Sequence, residues 1–138
     1  MLFILFNSYS GHGSGSQYFP SAEVQKLRIN ACSILMGCSS GNQYTMGEFE
    51  PYGTILDYKL AGCPSVVDNL WDVADRDNDL FTKDFLKSWL NLDSKNSKNI
   101  ENTDSSDICT NLIKARSVCE HSLNGSALVI YGMPLLVE

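Results

Sequence analysis

Four short apolar runs, each broken off by glycine or polar residues, constrain this chain more than any other feature. They are Leu2 to Phe6, Ala31 to Met36, Ser65 to Leu70 and Ala127 to Tyr131. Runs of this length, bounded by turn residues, are what buried strands look like. Helical segments separate them. Thr54 to Ala61 is one, stopped at Gly62-Cys63-Pro64. Asp77 to Leu90 is another, with Leu80, Phe81, Phe85, Trp89 and Leu90 on one face. A last helix is expected from Asp104, as its cap, to about His121, aligning Ile108, Leu112, Ala115 and Cys119. Strands joined by helices give an α/β chain with a mostly parallel sheet covered on both faces. Its 138 residues suit one domain, 1–138, in which the polar stretch Asp93 to Thr103 forms a loop.

Charge and cysteine usage narrow the chemistry. The net charge is −6 and Lys and Arg are scattered, which argues against nucleic acid as a direct partner. The longest apolar run, Met1 to Phe6, is too short to cross a membrane and lacks the flanks of a signal peptide. The cysteines are Cys32, Cys38, Cys63, Cys109 and Cys119, an odd set without a C-x-x-C pair. Only His12 and His121 are available to join them, so no metal site is expected, and a reducing compartment fits better than a disulfide scaffold. Cys32 is expected in the core, Cys63 at a turn, and Cys109 and Cys119 on a helix face. His121 reads as a helix-terminal residue, favoured there by the helix dipole.

Two loops stand out. Tyr9-Ser10-Gly11-His12-Gly13-Ser14-Gly15-Ser16 follows the first run, and Gly37-Cys38-Ser39-Ser40-Gly41 follows the second. In a parallel sheet, loops at the carboxyl ends of strands build the site. Adjacent strands would bring His12 and Cys38 to one edge, the arrangement a thiolate nucleophile with an imidazole partner requires. The first loop is neither a nucleophile elbow nor a P-loop, since no serine or Gly-Lys-Ser/Thr occupies the needed positions. The competing readings are a plain turn with an exposed histidine and a structural cysteine.

The segments GHGSGSQYF (Gly11 to Phe19), LMGCSSG (Leu35 to Gly41), EPYG (Glu50 to Gly53), AGCP (Ala61 to Pro64), NLWDVADRDND (Asn69 to Asp79) and ALVIYGMPL (Ala127 to Leu135) together resemble the catalytic part of separase. The resemblance covers most of residues 2–92 and 127–135. It implies a caspase-like cysteine peptidase in which Cys38 is the nucleophile and His12 the acid/base. The N–H groups of Gly13 and Cys38 would form the oxyanion hole, and no cofactor is needed. It further implies a caspase-like sheet holding the last four strands and lacking the first two. Because the chain opens inside a strand, it is expected to be a fragment of something longer, or a reduced form. Asn7 to Ser10 depart from the family by adding residues ahead of Gly11.

Separases cut after arginine, so the resemblance also assigns a role to the acidic block Asp72, Asp75, Asp77 and Asp79. An acidic pocket suits a guanidinium. Asp79 is favoured as the pocket acid and Asp75 comes second, with Trp71 stacking on the arginine. Equally, Asp75 or Asp77 would cap the following helix and Trp71 would be core. The implied substrate is the kleisin subunit of cohesin, the implied inhibitory partner is a securin, and the implied location is the nucleus and cytoplasm. The alternatives are a CHAT-type peptidase of the same caspase-like group, or a truncated remnant that binds without cutting.

Overall fold

The structure is a computed structural model that describes residues 6–92 and 107–136. These fall into two compact units. One holds residues up to Val73 together with 127–133, and the other holds residues from Ala74 to Ser126 with Pro134 onward.

The first unit is the sheet. Its strands are β1 (Phe6–Gly11), β2 (Cys32–Gly37), β3 (Ser65–Asn69) and β4 (Leu128–Gly132), in the order β1-β2-β3-β4. β1, β2 and β3 run parallel, and β4 is antiparallel to β3. Parallel neighbours require a crossover. These are supplied by α1 (Ser21–Val24) and α2 (Thr54–Leu60). The two helices are tied by Asp57, buried on α2, which accepts hydrogen bonds from the Ser21 hydroxyl of α1 and from Nε2 of Gln25, the residue just after that helix (2.6 Å). Between helices and sheet lies a core of Val24, Leu35, Tyr58, Ala61, Cys63 and Val66. β2 and β3 are buried along their whole length, as their unbroken apolar runs require.

β1 differs from the expected strand. Leu2 to Leu5 of the expected strand lie outside the described residues. The strand instead continues through Asn7 to Gly11, polar residues expected in a loop or as an insertion. Its pairing with β2 is made by backbone groups, so an outer strand needs no apolar side chains, and most of β1 is exposed.

The second unit is helical: α3 (Asp75–Trp89), α4 (Ile108–Ala115), a 3₁₀ turn (Arg116–Val118) and α5 (Ser122–Ser126). Phe81, Phe85 and Trp89 recur every four residues, are fully buried and stack at centroid distances of 5.7 and 5.6 Å. Leu80, expected on the same face, is 41% exposed, because it lies about 100° round the helix from Phe81. Asp104 lies outside the described residues. The cap of α4 is Asp107, whose carboxylate accepts the Thr110 N–H at 2.9 Å.

Neither Asp75 nor Asp77 caps α3. The N-cap is Ala74, without a side-chain cap bond. Asp77 instead accepts from Asn124 Nδ2 (2.6 Å), the Glu120 N–H (3.0 Å) and the His121 N–H (3.4 Å). Drawing those two amides to a carboxylate breaks the expected last helix: His121 precedes α5 instead of ending a helix, and Cys119 follows the 3₁₀ turn. The bond from Asn124, then that from Glu120, holds the Asp77 carboxyl below its ordinary pKa. Cys32 and Cys63 are core residues, and burial pushes the Cys32 thiol up to about 12. Cys109 is half-buried. The expected loop 93–103 lies outside the described residues. Among the described residues no helix is long and apolar enough to cross a membrane, and no cluster of His, Cys, Asp and Glu is arranged to hold a metal.

Candidate active site

The register of β1 on β2 sets the site. Gly11 pairs with Gly37 at the carboxyl ends of the two parallel strands. His12 and Cys38 are therefore each the first residue beyond paired strand ends. The histidine loop is fastened through its own carbonyl: His12 O accepts the Tyr9 hydroxyl at 2.9 Å and Gln17 Nε2 at 3.2 Å. Gly13 takes φ +61, the left-handed region that glycine occupies without strain. It folds back over β2 so closely that a Cβ on Gly37 would overlap the Gly13 carbonyl oxygen and lie 3.1 Å from that of Gly11. Gly37 is the residue that lets the two loops meet.

The cysteine loop is held on its other side by β3 and the segment after it. Ser39 has φ 52, unusual for a residue with a Cβ. Two bonds fix it there: its N–H donates to the Trp71 carbonyl (3.3 Å) and its hydroxyl to Asp72 (2.6 Å). Ser40 is buried, and its hydroxyl meets the Leu35 carbonyl (2.7 Å) and Oδ1 of Asp68. Asp68 is fully buried in β3. Burial raises its carboxyl to about 7, against the opposing pull of the bonds from Ser40 and the Asn69 N–H. Cys38 itself is half-buried, its Sγ 3.4 Å from the Val73 carbonyl oxygen.

Cys38 opens onto a cleft of about 400 Å³. Gly13, Ser14, Gln17, Ser39 and Asn42 line it, and Tyr44 and Tyr52 form a further part of its wall. Tyr44 and Tyr52 form an isolated bridge with rings 5.5 Å apart. Sequence reasoning missed this wall. Its signal was available in the aromatic residues spaced about Gly47, the mark of a chain doubling back. His12 is exposed and is not among the residues lining the cleft. Trp71 is half-buried, and Asp72 is exposed beside Ser39. Asp75 and Asp79 belong to the helical unit, where both are exposed on the first turns of α3, while Asp77 is buried.

Known proteins match this arrangement. The family described as "Separin, protease domain" matches residues 5–78. The separin of Schizosaccharomyces pombe is 47% identical over 133 residues, 96% of this chain and 7% of that protein. That of Saccharomyces cerevisiae is 41% identical over 131 residues, 92% of this chain and 8% of that protein. In the crystal structure of the Saccharomyces cerevisiae separase–securin complex at 2.6 Å, the match has a TM-score of 0.78 and 40% identity over 95% of this chain and 8% of the other. This chain thus spans less than a tenth of the length of these relatives. With a matching sheet and paired strand-end loops over more than half its length, the chain belongs to the separin protease-domain family, a family of cysteine peptidases.

Proposed function

We propose that this segment carries the catalytic dyad of an endopeptidase that cleaves after arginine, with Cys38 as nucleophile and His12 as acid/base. The observation that carries the reading is the Gly11–Gly37 pairing, from which both residues step off neighbouring parallel strands at one edge. In the reaction His12 takes the thiol proton, and the Cys38 thiolate attacks the scissile carbonyl. The N–H groups of Gly13 and Cys38 receive the charge on the oxygen. His12 gives the proton to the leaving amine, and water then releases the acyl group from the thioester.

Arginine recognition falls to Asp79 first and Asp75 second, with Trp71 stacking on the guanidinium. By family, the substrate is the kleisin subunit of cohesin, the inhibitory partner is a securin, and the setting is the nucleus and cytoplasm. A securin complex is the state in which the Saccharomyces cerevisiae relative was solved. The test is labelling of the intact protein with an acyloxymethyl-ketone peptide ending in arginine. Wild type should react, Cys38→Ser and His12→Ala should not, and Asp79→Ala should lose the preference for arginine over leucine. Reaction of Cys38→Ser at the wild-type rate would refute the assignment.

A further inference from the structure

The Gly37 carbonyl, at the last residue of β2, accepts two hydrogen bonds. One comes from Nδ2 of Asn69, at the end of β3, at 3.3 Å. The other comes from the Ser40 N–H, also at 3.3 Å. The two donors are tied together behind the loop. Oδ1 of Asp68 accepts both the Ser40 hydroxyl and the Asn69 N–H, the latter at 2.9 Å. The Gly41 N–H closes the loop onto the Asn69 carbonyl at 2.8 Å. Asp68, Asn69 and Ser40 are 0, 0 and 1% exposed, so none of them reaches a substrate.

A peptide unit is planar, and its carbonyl and N–H point in opposite directions. The Gly37 carbonyl and the Cys38 N–H belong to one such unit. Holding the carbonyl toward β3 aims the Cys38 N–H away from β3, toward the side on which β1 and the His12 loop lie. On the proposed mechanism, that is where the oxygen of the attacked carbonyl develops its charge.

We propose that Asn69 is a positioning residue for the peptidase reaction: through the Gly37 carbonyl, its side-chain amide fixes the direction of the Cys38 N–H as an oxyanion donor. The inference rests on the reading of Cys38 as the nucleophile. It separates two properties of one residue. The reactivity of the thiol depends on its proton and its partner. The stabilisation of the tetrahedral species depends on where the N–H points. Asn69 governs the second and not the first.

Two probes applied to the intact protein separate these properties. A peptide aldehyde ending in arginine adds the thiol to form a tetrahedral adduct that needs the oxyanion donor. Iodoacetamide alkylates the thiol with loss of iodide and forms no oxyanion. The variants are Asn69→Ala and the similar-sized Asn69→Leu, which keeps the bulk but loses the donor, each checked by its thermal melt. Both should bind the aldehyde about 10- to 100-fold more weakly and lose kcat on an arginyl peptide by a similar factor, with KM and the alkylation rate changed by no more than about twofold. Unchanged aldehyde affinity in a folded variant overturns the inference, and so does a fall in alkylation rate that matches the fall in kcat. Alkylation and hydrolysis by Cys38→Ser at wild-type rates would instead remove the nucleophile reading, and the inference with it.

Discussion

Asp68→Asn should stabilise this protein at neutral and alkaline pH and leave it unchanged in acid. Asp68 sits in β3, opposite Leu35 on one side and Val129 on the other. It is fully buried, and its Oδ2 has no hydrogen-bond partner among the described residues. Desolvation lifts its carboxyl from an ordinary 3.8 to about 7. Because the folded pKa is raised, the contribution is fully present below the unfolded value and is lost as pH rises through the folded one. Between these limits the folded chain holds one proton more than the unfolded chain, so stability falls by about 1.4 kcal/mol per pH unit. Over the whole interval that amounts to about 4 kcal/mol. The asparagine keeps an oxygen for the Ser40 hydroxyl and the Asn69 N–H and never ionises. Urea denaturation of both proteins from pH 4 to 8.5 gives a difference curve that cancels every other titrating group. Its expected form is near zero in acid, rising to most of that figure above pH 7. A flat difference curve would refute the claim that Asp68 is neutral in the folded state.

On the proposed mechanism, Gly37→Ala should abolish labelling of Cys38 by the arginyl activity probe, because its methyl group overlaps the Gly13 carbonyl and must push the histidine loop off β2; labelling of wild type and variant checks it. Asp77→Ala should lower the melting midpoint by removing the acceptor of the Glu120, His121 and Asn124 bonds. Since its folded pKa is lowered, that penalty should be present at pH 7 and vanish as pH falls through the folded value, which a pair of melts will reveal. Phe85→Ala, which opens a hole between Phe81 and Trp89, should cost about 3–5 kcal/mol by urea denaturation.

The strand–helix alternation was legible because β2 and β3 are buried on both faces, which forces unbroken apolar runs such as CSILM and SVV. β1 was not legible over Asn7 to Gly11, because its pairing is carried by backbone and most of its residues are exposed. Helix ends were misread where a carboxylate bonded across the fold instead of along its own helix: Asp77 serves Glu120 and Asn124, not the start of α3. The placement of His12 and Cys38, each just beyond the end of a strand, was legible from the apolar runs that precede them. The supports behind Cys38 were harder to see, although an aspartate inside the run SVVDN was itself a signal, since a buried strand tolerates an ionisable residue only with partners. Those partners, Ser40 and Asn69, are set by the crossing of two segments that the linear sequence keeps apart.

β1 is the outermost strand of the described sheet and presents little apolar surface, and strands of that kind hold their alignment weakly. Sliding β1 by one residue along β2 would move His12 by about 3.3 Å relative to Cys38, the span of a hydrogen bond, and turn its side chains to the opposite face. The nesting of Gly13 over Gly37 works against that slide as a detent, since only at a position without a Cβ can the loop carbonyl seat on β2. With Met36 or Cys38 beneath it, the loop would ride up. The spacing of two glycines thus does for this edge what a buried apolar stripe does for an inner strand: it leaves one alignment, the one that pairs Gly11 with Gly37.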